Sequence, residues 1–311
     1  MTGLPDLKLA PGDFFAFSQA AALREMAAAR RARGGLGAAR TIAIASARPG
    51  VGKTTVAANL AVDLQRRGQR VLLVDLTPGA SRLARALGVA PRGTLAQALG
   101  GERGAGEIAA AGPCGIRVVA AAAGPGELAS LTPWQQERLW SSFGELGRGC
   151  DLVILTADPG ATPALLAASE AVIVTVPSPE AVTEAYALTK LVARRNPGAT
   201  VHLAVNRARL RTQAHQVANA IVQAARQFLG FEVDNLGSVA EDPCVGLAGR
   251  EGRLVVTAYP DCQAARCLAA MAARLRGPAR TPHGAMAPDC ARQLAAIVAG
   301  ARDAERPRLD R

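Results

Sequence analysis

The segment Ser46-Ala-Arg-Pro-Gly-Val-Gly-Lys-Thr-Thr55 is the most informative part of this sequence. It follows a short apolar run and precedes a longer helical pattern. A loop in this position binds phosphate when glycines let backbone N–H groups curl around phosphate oxygens, a lysine reaches the β- and γ-phosphates, and a hydroxyl holds Mg²⁺. The stretch therefore predicts a phosphate-binding loop. Its predicted nucleotide contacts are Arg48, Gly50, Val51, Gly52, Lys53, Thr54 and Thr55.

Lysine is scarce in this chain, which gives the lysine of the loop added weight. Of 36 basic residues, three are lysines: Lys8, Lys53 and Lys190. The net charge of +11 favours anionic partners such as nucleotides, nucleic acid or lipid headgroups. Apart from a cluster between Arg24 and Arg40, however, the arginines are isolated, and this dispersion favours a solvated surface over a DNA-binding groove. We therefore do not expect nucleic acid as a partner.

Short apolar runs rich in valine and isoleucine alternate with helical segments beyond the loop. Such runs are typical of strands buried on both faces, as in a parallel sheet. The predicted strands are Thr41–Ala45, Arg70–Val74, Ile116–Ala120, Leu152–Leu155, Ala171–Val176 and Val201–Val205, with an edge strand at Asn235–Val239. The predicted helices are Thr54–Arg67, Pro133–Leu146, Pro179–Arg195, Thr212–Leu229 and Cys262–Leu275. This alternation predicts an α/β fold with a doubly wound, mostly parallel sheet.

Three regions are predicted along the chain. Residues 1–38 carry a short amphipathic pattern followed by a basic linker, and a disordered tail is the alternative there. Residues 39–278 form the nucleotide-binding domain. Residues 279–311 form a C-terminal helix and tail. The pattern of that helix, near 287–301, is short and lacks aromatic residues, so we expect weak membrane contact or none.

The composition also bears on the compartment. No window of about 18 uncharged apolar residues is present, and the N-terminus lacks the pattern of a signal peptide. The six cysteines are scattered without a C-x-x-C pair, so their spacing predicts neither a metal framework nor a disulfide scaffold. We expect a cytoplasmic protein whose cysteines are idle thiols.

The loop and the segment after it, NLAVDLQRRGQRVLLVD (Asn59–Asp75), resemble the MinD/ParA group of P-loop ATPases. The resemblance implies that ATP and Mg²⁺ bind here and that Thr54 and Asp75 support the metal, Asp75 through water. The group carries a second lysine in the loop that reaches the nucleotide of a partner subunit. Arg48 stands at that position, and its planar guanidinium is not equivalent to an ammonium. An ATP-dependent homodimer is therefore an open expectation.

Two acidic positions of the group are replaced in this chain. Its second strand continues as Asp-x-Asp, whereas here the run is Asp75-Leu76-Thr77. Its fourth strand ends in an aspartate, whereas Thr156 stands at the matching place, with Asp158 two residues later. Because threonine cannot carry the charge that orients metal and water, we expect a weak ATPase at best, with Asp75 and Asp158 as candidate catalytic residues.

Two later stretches resemble the flagellar-number regulators called FlhG, FleN or YlxH. These are VTVPSPEAVTEAYALTK (Val174–Lys190) and LAVNRARLRTQAHQVANAI (Leu203–Ile221). The resemblance implies that Asn206 contacts adenine, with Arg207 beside it. It also implies a cytoplasmic regulator of flagellar number or placement, peripheral to the inner membrane at the flagellated pole.

The N-terminal segment adds a partner to this resemblance. Ser18-Gln-Ala-Ala-Ala-Leu-Arg24 is similar to the DQAxxLR motif with which the branch acts on the flagellar GTPase FlhF. Gln19, Leu23 and Arg24 are the candidate partner-binding residues, and a plain surface helix is the alternative. Components of the flagellar basal body and C-ring are the further partners that the resemblance implies.

Two other functions compete with this prediction. A scaffold of the same fold that does not hydrolyse ATP would explain Thr77 and Thr156. A ParA-like, DNA-associated partition ATPase would suit the positive net charge. A bacterial tyrosine kinase has a similar loop, but such enzymes phosphorylate a tyrosine cluster, and this chain has two tyrosines, Tyr186 and Tyr259.

Overall fold

The computed structural model describes residues 40–77, 81–94, 97–98, 101–119, 146–147, 149–157, 165 and 168–276. The predictions for residues 1–38 and 279–311 lie outside these residues, and so do nearly all of the helix predicted at 133–146 and the candidate catalytic residue Asp158. The candidate partner-binding residues Gln19, Leu23 and Arg24 also lie outside them.

Eight strands form one sheet in the described part of the chain. They are β1 (Arg40–Ala45), β2 (Val71–Asp75), β3 (Ala110–Ala111), β4 (Arg117–Val119), β5 (Leu152–Ala157), β6 (Glu170–Thr175), β7 (Thr200–Ala208) and β8 (Val233–Ala240). Their order in the sheet is β3-β4-β2-β5-β1-β6-β7-β8. All neighbours are parallel except β3 and β4. The predicted doubly wound, mostly parallel sheet is therefore confirmed.

The described helices cover both faces of this sheet. They are α1 (Lys53–Arg66), α2 (Arg82–Leu87), α3 (Ala105–Ile108), α4 (Pro179–Arg195), α5 (Arg211–Leu229), α6 (Pro243–Arg250), α7 (Val255–Ala258) and α8 (Gln263–Leu275). The alternation of side chains along β1 shows the two layers. Ile42 and Ile44 enter the core that contains α1 and α8, whereas Ala43 and Ala45 enter the core that contains α4 and α5.

Most element predictions agree with the structure to within one or two residues, and the predicted edge strand is β8. Strand β3 and helices α2, α3, α6 and α7 were not predicted. Each has between two and eight residues, which is shorter than the window over which helical or strand periodicity can be recognised. None of the helices that the structure describes is long and apolar enough to cross a membrane.

Candidate nucleotide-binding site

The predicted phosphate loop joins β1 to α1 at the carboxyl edge of the sheet. Gly50 and Gly52 have φ angles of 81° and 89°, in the left-handed region that other residues rarely adopt. Gly52 is the N-cap of α1, and no side chain caps this helix. The first backbone N–H groups of α1 therefore have no capping side chain, and a helix start of this kind favours a bound anion such as phosphate.

Asn206 fixes the backbone of this loop. It lies near the end of β7, is 7% exposed, and its Nδ2 donates to the carbonyl oxygen of Val51 over 2.7 Å. A Cβ atom at Gly52 would lie 2.2 Å from the same Nδ2. The loop therefore needs glycine at position 52 for two reasons, its φ angle and the closeness of Asn206. The adenine contact of Asn206 stays a prediction, and the structure adds a contact with the loop.

The other loop residues lie close to the start of α1. Val51 and Lys53 are buried, and Thr54 and Thr55 are half-buried. Asn59, one turn further along α1, donates to the carbonyl of Thr55 over 2.8 Å and accepts from the N–H of Val256 in α7. The start of α1 is thereby anchored to a later part of the chain.

Asp75 ends β2 and is surrounded by hydroxyl groups. The carboxylate is 1% exposed, and its Oδ1 accepts from the hydroxyl and the backbone N–H of Thr77, over 2.6 and 3.0 Å. The same oxygen accepts from Oγ1 of Thr156 over 2.9 Å. Its Oδ2 accepts from Oγ of Ser81, the N-cap of α2, over 2.7 Å. Three hydroxyls and one amide thus hold a single buried carboxylate.

This arrangement shows what the two replaced acidic positions do. Thr77 and Thr156, which stand where the resemblance places aspartates, are neutral donors to Asp75. Two more carboxylates at these positions would repel Asp75 in a buried environment, whereas hydroxyls stabilise its charge. The cluster can thus hold one negative charge, but these two threonines cannot orient a metal ion or a water molecule by charge. Sequence analysis missed Ser81, although a serine before the helical run RLARAL is a common helix start.

The residues that would hold Mg²⁺ supply oxygen ligands. Thr54 offers a hydroxyl at the start of α1, and Asp75 offers a buried carboxylate at the end of β2. Carboxylate and hydroxyl oxygens suit this hard cation, which usually keeps several waters and binds through one or two carboxylates together with substrate phosphates. The set of ligands therefore fits the metal that the fold family implies.

Arg48 is paired within its own chain. Its Nε and one Nη each lie 3.0 Å from a carboxylate oxygen of Glu184 on α4, which is a bidentate contact. Both side chains are about 40% exposed. The hydrogen bond and the charge of Glu184 raise the pKa of Arg48, and the same hydrogen bond lowers the pKa of Glu184. The sequence carried no signal for Glu184, because the pair joins residues 136 positions apart.

Arg207 has an unusual backbone conformation next to Asn206. Its φ angle is 53°, and its side chain is exposed. The pairing of β7 with β8 is irregular between Val205 and Ala208, so the strand bulges here. A non-glycine residue in this region is uncommon and occurs more often at functional sites. The pairing of β7 with β8 is thus interrupted next to Asn206, the residue that contacts the loop.

Comparison with known proteins agrees with this geometry. A model described as the CobQ/CobB/MinD/ParA nucleotide binding domain matches residues 42–271. The antiactivator FleN of Pseudomonas aeruginosa is 29% identical over 238 residues, which cover 75% of this chain and 85% of FleN. The flagellum site-determining protein YlxH of Helicobacter pylori is 35% identical over 156 residues, which cover 48% of this chain and 52% of YlxH.

A solved structure shares the fold. The septum site-determining protein MinD of Pyrococcus horikoshii, complexed with Mg-ADP, has a TM-score of 0.62 and 23% identity, with 76% of this chain and 96% of that chain covered. The resemblance to MinD/ParA ATPases and to flagellar regulators is thus confirmed. Because the family model spans most of the chain, the protein belongs to the CobQ/CobB/MinD/ParA nucleotide-binding domain family.

Proposed function

We propose that this protein is an ATP-binding regulator of flagellar number or placement whose ATP turnover is slow or lost. One observation carries the nucleotide part of the proposal. The uncapped start of α1, the buried Lys53 and the Asn206–Val51 contact lie at the carboxyl edge of the sheet, the edge at which β2 ends in Asp75. In this arrangement Lys53 and the first N–H groups of α1 bind the phosphates, and Asn206 contacts adenine.

The metal has a supporting role in this proposal. Thr54 and Asp75 would hold Mg²⁺, which neutralises phosphate charge when it is bound. Asp75 is already stabilised by the hydroxyls of Thr77, Ser81 and Thr156, so its charge is kept without a second carboxylate. Slow turnover follows from the neutral Thr77 and Thr156, because neither can act as a base toward water.

The flagellar part of the proposal rests on similarity to FleN and YlxH, of which FleN is matched over most of its length. We assign the contact with the flagellar GTPase FlhF to Gln19, Leu23 and Arg24, and we include components of the basal body and C-ring among the partners. The same similarity favours a cytoplasmic regulator at the flagellated pole. An assay of GTP hydrolysis by FlhF tests this assignment. The wild type should stimulate hydrolysis, whereas a Gln19→Ala/Arg24→Ala variant should bind ATP without stimulating it.

ATP-dependent homodimerisation is a further part of this proposal. Arg48 is placed in the loop, and it must leave Glu184 before it can reach the nucleotide of a second copy. The Arg48–Glu184 pair therefore favours the monomer, and bound ATP offers Arg48 a competing anion. Exposed ion pairs of this kind are weak, so the competition is feasible at ordinary nucleotide concentrations.

Calorimetric titration of ATP–Mg²⁺ into the full chain tests the nucleotide-binding part of the proposal. We expect binding in the wild type and at least about tenfold weaker binding in Lys53→Ala, because the loop lysine contacts the β- and γ-phosphates. Lys190→Ala is the matched control, since it removes another of the three lysines from α4. If the wild type did not bind ATP at millimolar concentration, the proposed ATP-binding regulator would be wrong. The alternative, a scaffold of the same fold, would then be favoured.

A further inference from the structure

Three side chains with metal-binding groups converge beyond the end of β8. Asp242 follows this strand and is the N-cap of α6, Cys244 lies in the first turn of α6, and Cys262 is the N-cap of α8. One carboxylate oxygen and the two Sγ atoms all lie within 4.8 Å of one another. All three residues are partly exposed, so an ion and a water molecule can reach them.

We propose that Asp242, Cys244 and Cys262 bind a thiophilic divalent cation of the zinc class. Two thiolates and one carboxylate are ligands that zinc takes, and three protein ligands leave a fourth position for water. The mixed sulfur and oxygen set does not suit Mg²⁺, which prefers oxygen alone. This site is therefore chemically separate from the one at Thr54 and Asp75.

Backbone N–H groups orient these ligands. Oδ1 of Asp242 accepts from the N–H of Cys244 over 2.9 Å, and Oδ2 accepts from the N–H of Ala264 over 3.0 Å. Sγ of Cys262 accepts from the N–H of Ala265 over 3.4 Å. Hydrogen bonds of this kind hold ligands in place in known metal sites. The thiols of Cys244 and Cys262 also donate to the carboxylate of Asp242, and their protons would leave when the thiolates bind a metal.

The spacing of the two sulfur atoms agrees with a shared ion. Two thiolates at zinc–sulfur distances of about 2.3 Å in a tetrahedral site are separated by about 3.8 Å, which lies within the observed limit. The two cysteines form no disulfide in the structure. A disulfide would require the sulfur atoms to approach to about 2.05 Å, so at least one of the two side chains would have to move.

A bound ion would join the start of α6 to the start of α8 and close the segment between them. That segment contains α7, whose Val256 accepts from Arg66 and donates to Asn59, both on α1. The ion would thus restrain a segment that packs against the helix of the phosphate loop. Sequence analysis did not find it because Cys244 and Cys262 are 18 positions apart, without the close cysteine pairs of common zinc motifs.

Metal titration of the full chain, reduced with a phosphine and free of nucleotide, tests the site. We expect the wild type to take one equivalent of Zn²⁺ from a chromophoric chelator, and Co²⁺ to give the charge-transfer absorption of thiolate ligands. Cys244→Ser and Cys262→Ser should each weaken binding at least about tenfold, since loss of a ligand costs no less than loss of its supporting hydrogen bond. Cys267→Ser, on α8 but outside the cluster, is the matched control and should bind as the wild type does.

Several results would overturn the proposed zinc site. A wild type that binds no Zn²⁺, or a Cys244→Ser variant that binds as tightly as Cys267→Ser, overturns the proposal. The proposal is also overturned if the reduced protein does not bind Zn²⁺ but forms a Cys244–Cys262 disulfide with peroxide, as detected by mass spectrometry. The two cysteines would then be a redox pair. Because a serine variant could lose binding by misfolding, Asp242→Asn, which keeps the capping oxygen, should also weaken Zn²⁺ binding while circular dichroism stays unchanged.

Discussion

The hydroxyl of Thr156 donates to Oδ1 of Asp75 over 2.9 Å, between residues that are direct partners in the parallel pairing of β5 with β2. Thr77 donates to the same oxygen. The two hydroxyls therefore stabilise a single buried carboxylate, without adding a negative charge of their own. The Asp75 carboxylate is 1% exposed, and these hydrogen bonds stabilise it there. The hydroxyls cannot, however, orient a metal ion or a water molecule by charge.

The first prediction concerns the strength of this contact. Thr156→Val removes the hydroxyl without changing the shape of the side chain, and we expect it to lower the free energy of unfolding by about 1.5–3 kcal/mol, the range for hydrogen bonds to charged groups. Thr175→Val is the matched control, because Thr175 is equally buried and donates to the neutral carbonyl of Ala181. Its cost should be about 0.5–1.5 kcal/mol. Urea unfolding measures both, and equal losses would contradict a charged Asp75.

The second prediction concerns Gly52 and Asn206. Gly52→Ala places a methyl group 2.2 Å from Nδ2 of Asn206 and adds strain at φ 89°, whereas Gly50→Ala has a similar φ of 81° and no atom within 4 Å. We expect Gly52→Ala to destabilise the chain more than Gly50→Ala by about 1 kcal/mol or more, and to weaken ATP binding more strongly.

A double-mutant cycle separates the clash from the backbone strain. Asn206→Ala alone loses its hydrogen bond to Val51, but in the Gly52→Ala background it also relieves the contact with the new methyl group. Its cost should therefore be smaller there, with a coupling of about 1 kcal/mol. Additive effects would mean that Asn206 moves aside freely.

Sequence reasoning could predict the sheet because its strands carry their own signal. Runs such as Ala171–Val176 are apolar except for Thr175, as is typical of strands buried on both faces, and their alternation with helical segments predicted the fold class. The short elements had no such signal. Helix α6 has eight residues and α7 has four, which is too short for helical periodicity to be recognised.

The residues of the candidate site could be proposed from the sequence and remain predictions, whereas their contacts could not be proposed. The glycines, Lys53, Asp75 and Asn206 follow from motif and resemblance. The pairing of Arg48 with Glu184, of Asn206 with Val51 and of Thr156 with Asp75 joins segments between 81 and 155 positions apart. Such contacts arise when the carboxyl ends of parallel strands meet at one edge, which a single sequence does not specify in detail.

The third prediction concerns Arg48. Glu184→Ala removes the carboxylate that pairs with Arg48, and the pair is exposed, so we expect no measurable change in melting temperature. The freed arginine should raise the fraction of dimer in the presence of ATP–Mg²⁺, as measured by light scattering after size exclusion. Glu180→Ala is the control, since Glu180 acts on Arg48 through charge alone. A dimer fraction equal to that of the wild type would show that the ion pair does not restrain association.

The last prediction concerns stability in acid. Glu170 begins β6 and is contacted by Arg40 at the start of β1 and by His202 on β7. Burial alone would raise the pKa of Glu170, but the hydrogen bonds and charges of Arg40 and His202 outweigh it and lower the pKa to about 2, from 4.5 in an unfolded chain. A carboxylate with a lowered pKa in the folded state stabilises the protein above pH 4.5, and this contribution is lost as the pH falls toward 2.

The Glu170→Gln variant tests whether the Glu170 carboxylate stabilises the protein above pH 4.5 and loses this effect as the pH falls. The shift corresponds to roughly 3 kcal/mol, so the wild type should lose about that much more stability than Glu170→Gln between pH 5 and pH 2. Urea unfolding across this range measures the difference. Glu241→Gln is the matched control, because Glu241 pairs with the exposed Arg209 and should leave the pH dependence almost unchanged. If Glu170→Gln and Glu241→Gln gave the same curve, the half-buried network of Arg40, Glu170 and His202 would not be what acid disrupts.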